Sequence, residues 1–434
     1  MGSILGKTVA HFWPEFRPWL DELGDTRDPD RIIYASRFLT WLGLMTFLLK
    51  LGSRRQLNFE LDSPVALDNL NRLSGSAQEK LAHHDPLNHF LGHVPAGEFA
   101  ALRRKMVFRL VRMKVLDTGR LMGHFLIVLD GTGQLQFRKP HCPHCLEQTV
   151  NGTTYYYHNV LEAKLVTPEG LALSVGSEFI ENADPDASKQ DCELKAFYRL
   201  AKRLKKDFPQ LRLCLLLDAL YANGPVIDIC RQNHWKYIIV FKEGSLPAVW
   251  QEYQALRELC PQNVKLHEPR EGCEQTYRWV HDLPLVDSEG RRHTLQALEC
   301  REINGQQKHF FAWITNFSIR ADNVAPLANR GGRCRWKIEN EGFNIQKNGG
   351  FNLEHAYSTG ERENKNFYLL MQIAHMILQL IERGSLLGQC CKKLFGSLRN
   401  VAKRLAESLR FCPLADEAVD ATTAGRIQIR LDGW

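Results

Sequence analysis

Hydrophobic residues recur at helical spacing over the first 120 residues of the chain. Arg31 to Leu51 is a long periodic apolar segment, and Phe99 to Val115 repeats apolar and basic residues with the same period. The polar stretch between them, Arg54 to Pro86, contains turn signals at 62–64 (Asp-Ser-Pro) and 74–76 (Ser-Gly-Ser). This pattern predicts a helical N-terminal region over residues 1–120.

Short apolar runs of the β type begin after Gly123. The run 124–133 (HFLIVLDGTG) predicts a buried strand that stops at Asp130, and 155–166 and 171–179 predict two further strands. We expect these three segments to form an antiparallel meander. The run 211–224 (LRLCLLLDALYANG) predicts another buried strand that ends at Asp218.

The rest of the chain continues this alternation of element types. Residues 189–208 and 226–232 have helical spacing, and 237–241 (YIIVF) predicts a short strand. The alternation predicts an α/β protein with some parallel pairing. We expect a chain order of five segments: a helical region (1–120), the first part of the α/β core (121–255), a β-rich insertion (256–320), the second part of the core (321–385) and a basic C-terminal helical region (386–434).

Composition is that of an ordinary globular protein and excludes fibrous or low-complexity classes. Hydrophobic residues make up 44% of the 434 positions and charged residues 24%. The longest apolar stretch, Leu39 to Leu49, is shorter than the ~20 residues of a membrane span, and the N-terminus has no continuous hydrophobic signal. We therefore expect a cytoplasmic protein without membrane contact. No P-loop, dinucleotide glycine fingerprint or nucleophile elbow is present.

Positive charge is concentrated in two clusters, on a chain with a formal net charge of +7. Residues 101–120 contain seven basic residues and one acid, and residues 390–410 contain six and one. Either cluster alone fits a solvated helix face, but two of them favour contacts with the phosphates of a polyanion. The residues expected to make these contacts are Arg103, Arg104, Arg109, Lys392 and Lys393.

Three acids lie where an α/β catalytic site would use them. Asp130 and Asp218 follow apolar strands, and Glu339 lies in RCRWKIENEGFNIQK. Divalent cations prefer carboxylate oxygen, and phosphodiester chemistry commonly uses two metal ions roughly 3.5–4 Å apart. The alternative is that each strand-terminal Asp only caps a turn. A helix start at 189–193 (KQDCE) also carries acids. They either approach this site or serve only the helix start, where first-turn acids are expected on dipole grounds alone.

A second candidate site is the motif His141-Cys142-Pro143-His144-Cys145. Two thiolates at this spacing form one side of a zinc site, which needs two more ligands. His141, His144 or His158 would complete it, although adjacent His and Cys side chains cannot all face one ion. The alternatives are a reduced, exposed loop and a redox-sensitive thiol pair.

From Leu102 to Leu380 the sequence resembles the DDE transposases of bacterial insertion sequences, whose catalytic core has the RNase H-like fold. The resemblance rests on LIVLDGTG, LLLDALYA and the pair FAWITNF and RCRWKIENEGFNIQK. It includes the β-rich insertion before the third acid, as in the branch whose glutamate helix carries a Tyr, Arg, Glu, Lys signature. It therefore implies an RNase H-like mixed-sheet core with this insertion, flanked by N-terminal and C-terminal helical regions.

Carried over residue by residue, the resemblance makes Asp130, Asp218 and Glu339 the catalytic triad, with Glu341 as the competing third acid. Arg335 stands where the signature has its arginine, whereas the tyrosine position is Gly332 and the lysine position is Gln346, one residue before Lys347. A helix from about Leu327 would place Arg335 on the same stripe as Glu339, where it would touch DNA or simply form an ion pair. Trp336 would stack on a displaced base or pack in the core. Arg335, Trp336 and Lys347 complete the set of expected DNA-binding residues.

The implied activity is metal-dependent cleavage at transposon ends and strand transfer into target DNA. The resemblance implies two Mg²⁺ (or Mn²⁺) ions on the triad, double-stranded DNA as partner and a homodimer on DNA. Two alternatives remain: an RNase H-like nuclease or resolvase that does not join strands, and a non-catalytic, zinc-containing DNA-binding protein.

Overall fold

Helices account for the ordered secondary structure of the first 120 residues. The computed structural model describes residues 1–182, 189–387, 395–424 and 427–431. Before the first strand its α-helices are α1 (Gly2–Phe12), α2 (Phe16–Asp21), α3 (Ser36–Leu48), α4 (Gln56–Glu60), α5 (Pro64–Ser74), α6 (His84–His93) and α7 (Ala96–Arg112). The two periodic segments correspond to α3 and α7. Two further helices, α4 and α5, lie in the polar stretch between these segments.

The described strands form one mixed sheet. They are β1 (Phe125–Phe137), β2 (Leu146–Val150), β3 (Thr153–Val166), β4 (Ala172–Ile180), β5 (Leu213–Leu217), β6 (Lys236–Val240), β7 (Val264–Arg270), β8 (Cys273–Val286), β9 (Arg292–Asn304) and β10 (Gln307–Thr315). Their order is β2-β3-β1-β5-β6-β10-β9-β8-β7, and β4 pairs with β3. The β3-β1 and β3-β4 pairs are antiparallel, and β5 lies parallel to both β1 and β6.

This topology confirms the predicted α/β class. Strands β4, β3, β1, β5 and β6 have the order and directions of an RNase H-like core. Strands β7 to β10 are the β-rich insertion, and they extend the same sheet because β10 pairs antiparallel with β6. The expected meander is formed by β1, β3 and β4.

The expectation that the first strand stops at Asp130 is wrong. β1 continues through Asp130 to Phe137 and pairs with β3 along this length, with a register shift between Gly133 and Leu135. Only its pairing with β5 ends earlier, at Val128. Asp130 therefore lies inside a long strand, at the point where the parallel neighbour ends.

The helices that follow the meander flank the sheet and close the core. They are α8 (Glu193–Asp207), α9 (Gly224–Gln232), α10 (Pro247–Leu259), α11 (Val324–Pro326), α12 (Asn344–Asn348), α13 (Glu361–Arg383), α14 (Leu398–Phe411) and α15 (Ala421–Ala424). Helix α13 is buried over most of its length and packs against α1, α3, α6, α7 and β4. The N-terminal helices thus share one continuous hydrophobic core with the sheet, and the division of the chain into five segments stays a prediction.

The segment that carries Glu339 is not the regular helix expected from Leu327. It consists of π-helical turns at Leu327–Gly331 and Ile338–Phe343 around a 3₁₀ turn at Gly332–Trp336, and α12 follows. Gly331 adopts φ −105° and ψ −90°, which interrupts the α-helical path.

None of the described helices is long and apolar enough to cross a membrane. Lys392 and Lys393 lie outside the described residues.

Candidate functional site

Asp130 in β1 and Asp218, the residue directly after β5, lie at the same level of the sheet. Val128 of β1 is paired with Leu216 of β5, and each Asp comes two residues later in its chain. Because adjacent strands are about 4.8 Å apart, this register places the two acids side by side where β5 ends. The fold therefore brings together two of the acids that the sequence analysis singled out.

Arg335 connects the third acid to the first. Its Nη1 lies 3.4 Å from Asp130 Oδ2 and its Nη2 lies 2.9 Å from Glu339 Oε1. The Arg335 side chain is 9% exposed, and its Nε is buried without a hydrogen-bond partner. The guanidinium is thus a buried cation between two carboxylates of the predicted triad.

Glu193, at the first turn of α8, is a fourth carboxylate in the same place. A Cβ atom built on Gly131 would come within 2.4 Å of Glu193 Oε2, so the glycine leaves room for this side chain beside Asp130. Tyr221 donates a 2.7 Å hydrogen bond to Glu193 Oε1. The sequence favours a simple helix-start role for this acid, and only the packing of α8 against β4 and β3 reveals its position.

The four carboxylates repel one another. Burial raises the pKa of Asp130 to about 7; Arg335 opposes this rise, and Glu193, Glu339 and Asp218 add to it. Burial also raises the pKa of Glu193, against the hydrogen bond from Tyr221. A cation that displaced or joined Arg335 would relieve this repulsion.

The side chains are not arranged as a finished metal site. Among the described residues, three clusters have at least three His, Cys, Asp or Glu ligand atoms within 4.8 Å of one another, and the triad is not one of them. Asp218 also caps the turn that follows β5, because it accepts a 2.8 Å hydrogen bond from the Leu220 amide. Glu341, the competing third acid, pairs with Lys337 at 3.0 Å.

The family's signature positions around Glu339 have structural roles here. A Cβ atom on Gly332 would lie 2.3 Å from the Trp313 ring, so the pocket has no space for a tyrosine. Gln346 is fully buried and donates to Gln372 Oε1 at 2.8 Å. Lys347 pairs with Glu354 at 2.7 Å.

A second cluster lies where the loop after β1 meets β3. Cys142 Sγ and Cys145 Sγ are 3.5 Å apart, and each lies 3.4 Å from His158 Nε2. His141 Nδ1 is 3.8 Å from Cys145 Sγ. Burial lowers the pKa of His158 to about 4. The cluster is one of those with metal-compatible spacing. Of the three histidines that the sequence offers as ligands, it contains His141 and His158.

His144 points away from this cluster. Its Nδ1 lies 3.0 Å from the Asn182 carbonyl oxygen and its Nε2 lies 3.7 Å from Glu361 Oε2. The expectation that His144 is a ligand therefore fails, because the adjacent Cys145 takes the inward position. The other two metal-compatible clusters are His83 with His84 and Asp85, and Asp228 with Asp287 and His293; Arg291 already pairs with both acids of the second.

Arg103, expected to contact DNA, is instead a core residue. Its side chain is 3% exposed, donates to Ser174 Oγ at 2.8 Å and to Ser177 Oγ at 2.5 Å, and lies 4.0 Å from Glu162. The expectation is wrong because this face of α7 packs against β4.

The other expected DNA-binding residues are accessible to different degrees. Arg104 is 41% exposed and pairs with Asp207 at 3.3 Å. Arg109 lies 3.8 Å from Glu15. Trp336 is exposed, and the Arg335 guanidinium lies 4.5 Å from its ring centroid.

Comparisons with known structures give a distant likeness at the level of the fold. No protein-family model matches the chain, and no curated protein matches its sequence. The chain is similar to piggyBac transposase in a cryo-EM structure of the synaptic complex with hairpin DNA, with 10% sequence identity and a TM-score of 0.44 over 98% of this chain and 85% of that chain. The strand order and strand directions of this chain define its RNase H-like core.

Proposed function

We propose that the protein is a DDE-type transposase, an enzyme that cleaves DNA at transposon ends and joins the freed strand to target DNA. The observation that carries the proposal is the placement of Asp130 in β1 and of Asp218 directly after the parallel neighbour β5 in an RNase H-like sheet, with Glu339 reached through Arg335. Three distant segments thereby supply one acidic site.

The residues of this site fit hard divalent cations. Their donor atoms are carboxylate oxygens, which Mg²⁺ and Mn²⁺ prefer. Burial, with a further contribution from the neighbouring acids, raises the pKa of Asp130. Asp130, Asp218 and Glu339 would hold the ions. When bound, two such ions would lower the pKa of water and stabilise the leaving 3′ oxygen.

The surrounding side chains position the acids. Arg335 holds the Glu339 carboxylate toward Asp130, and Tyr221 fixes Glu193 by its hydrogen bond. Arg335 also offers a buried, unpartnered Nε that a phosphate oxygen would satisfy. Glu193 adds a fourth negative charge, which raises the demand for a cation at this edge of the sheet.

Double-stranded DNA, both the transposon ends and the target, is the proposed partner. Arg104 and Arg109 on α7, with the exposed basic residues of α14, would contact phosphates, and Trp336 would stack on an unpaired base. Synapsis of two ends would require a homodimer on DNA. Such an enzyme would act in the bacterial cytoplasm, at the nucleoid.

Strand cleavage and joining on DNA that carries the ends flanking the gene tests the proposal. We expect cutting and a joined product with Mg²⁺ or Mn²⁺, and neither with EDTA. Asp218→Asn and Glu339→Gln should abolish both steps while DNA binding persists. Glu341→Gln is the matched control, because this neighbouring acid pairs with Lys337 on the same short segment, and it should retain activity.

The outcomes separate the alternatives. Cutting without any joined product would identify an RNase H-like nuclease or resolvase. Binding without cutting in either metal would overturn the proposal in favour of a non-catalytic DNA-binding protein. Loss of activity in Glu341→Gln but not in Glu339→Gln would make Glu341 the third acid.

A further inference from the structure

Four side chains from two separate segments point their ligand atoms at one small space beside β3. Cys142 and Cys145 come from the loop after β1, together with His141, and His158 comes from β3 directly opposite Leu135. All four ligand atoms lie within 4.8 Å of one another. This convergence is independent of the acidic site and of the proposed transposase activity.

The spacing of these atoms matches the edges of a zinc tetrahedron. With Zn–S near 2.3 Å and Zn–N near 2.0–2.1 Å, a regular tetrahedron has S···S edges of about 3.8 Å and S···N edges of about 3.5 Å. The Sγ–Sγ distance is 3.5 Å, and three of the four Sγ–N distances, those of His158 to both cysteines and of His141 to Cys145, are 3.4, 3.4 and 3.8 Å. Each lies within a few tenths of an ångström of the ideal edge.

The surroundings orient the ligands as they do in zinc proteins. His141 faces the cluster with Nδ1, while its Nε2 lies 2.9 Å from the Thr359 carbonyl oxygen just before α13. A metal-bound histidine typically donates its second ring N–H to a backbone carbonyl in this way. Cys145 and His158 are buried, whereas His141 and Cys142 are partly exposed, so the cluster lies just below the protein surface.

We infer that Cys142, Cys145, His141 and His158 bind one structural zinc ion, which ties the loop after β1 to β3 and to the start of α13. Four protein ligands leave no open position, which is the arrangement of a structural site. Two thiolates and two neutral imidazoles also balance the charge of Zn²⁺.

The zinc content of the untagged full-length protein, measured by mass spectrometry of metals after dialysis, tests this assignment. We expect one zinc per chain in the wild type and almost none in His158→Ala or in the double variant Cys142→Ser/Cys145→Ser. His144→Ala is the matched control, since it removes the other histidine of the motif, which faces Asn182, and it should keep its zinc. A folded wild type without zinc, or equal loss in His144→Ala and His158→Ala, would overturn the ligand set.

A measurement on the wild type alone guards against variants that fail to fold. Replacement of the metal by Co²⁺ should give an intense tetrahedral d–d spectrum with thiolate charge-transfer bands, and a zinc chelator should lower the melting temperature. A disulfide between Cys142 and Cys145 is the competing outcome, and it would appear as two fewer titratable thiols without bound metal. Zinc loss with unchanged DNA cleavage would leave the transposase proposal intact, so the two failures are distinguishable.

Discussion

Arg103 provides a quantitative test, because the structure reverses its expected role. In Arg103→Met the buried guanidinium is lost and Glu162, which is fully buried, loses its nearby cation. Breaking a buried ion pair by removal of one partner typically costs about 3–5 kcal/mol. Glu162 keeps hydroxyl donors from Ser177 at 2.6 Å and Tyr368 at 2.8 Å, so we expect the lower end of this range, about 3 kcal/mol.

Two assays separate the core role from a DNA-binding role. Guanidinium unfolding followed by tryptophan fluorescence should show the loss of about 3 kcal/mol in Arg103→Met and less than about 1 kcal/mol in Arg104→Met, whose ion pair lies at the surface. The salt dependence of DNA binding should show the reverse pattern, with a change in Arg104→Met and none in Arg103→Met. Loss of one phosphate contact lowers the slope of log K against log salt by about 0.9, which we expect for Arg104→Met only.

A core role for Arg103 is refuted if Arg103→Met unfolds at the wild-type denaturant concentration and also lowers the slope of log K against log salt for DNA binding. That result would place Arg103 on the DNA surface and would mean that the hydrogen bonds to Ser174 and Ser177 do not stabilise the fold.

Three further predictions concern the acidic site and the helical segment beside it. Glu193→Gln should raise the Mg²⁺ concentration needed for half-maximal cleavage several-fold, and an unchanged metal titration would remove Glu193 from the site. Gly332→Ala should lower the melting temperature, because the added Cβ meets the Trp313 ring at 2.3 Å and overpacking costs about 1–3 kcal/mol; an unchanged melting temperature would contradict the packing. The hydrogen bond from Arg333 lowers the pKa of Glu302 to about 2. The Glu302–Arg333 ion pair therefore stabilises the protein fully above the ordinary glutamate pKa, and this stabilisation is lost as the pH falls from about 4.5 toward 2. Glu302→Gln should therefore destabilise the protein at pH 7 and much less near pH 2, and an equal loss at both values in urea unfolding would contradict the ion pair.

The alternation of apolar runs and helical segments was sufficient to predict the sheet core, but not the extent of β1. Gly131 and Gly133 are typical of a turn after Asp130. In the structure these glycines stay in the strand, because β3 supplies hydrogen-bond partners on the far side of Asp130. A pairing partner about 30 residues away overrides the local signal.

Two elements that we did not predict carried usable local signals. Ser63 accepts a hydrogen bond from the Ala66 amide, and Gly75 has φ 68°, so the two turn signals of the polar stretch are the caps of α5. Asn151 and Gly152 have φ 50° and 76° and join β2 to β3. Asn-Gly between two β-type runs is a strong hairpin signal.

The full composition of both sites depends on tertiary contacts that no local pattern encodes. Glu193 reaches Asp130 only because α8 packs beside the meander, and His158 joins the cysteines only because β3 returns antiparallel to β1. Arg103 belonged to a basic cluster in the sequence, yet its position on α7 faces β4. Sequence spacing therefore identified the acids and the cysteines, and the fold supplied their partners.

A change of metal preference at Asp218 tests most directly whether the acidic site holds catalytic cations. In Asp218→Cys a soft thiolate replaces a hard carboxylate, and softer ligands disfavour Mg²⁺ more than Mn²⁺. The account predicts that wild-type protein cleaves transposon-end DNA with either metal, and that Asp218→Cys, with DNA binding intact, cleaves only with Mn²⁺. Cleavage by Asp218→Cys at the wild-type rate in Mg²⁺, or no cleavage by the wild type with either metal, would contradict it.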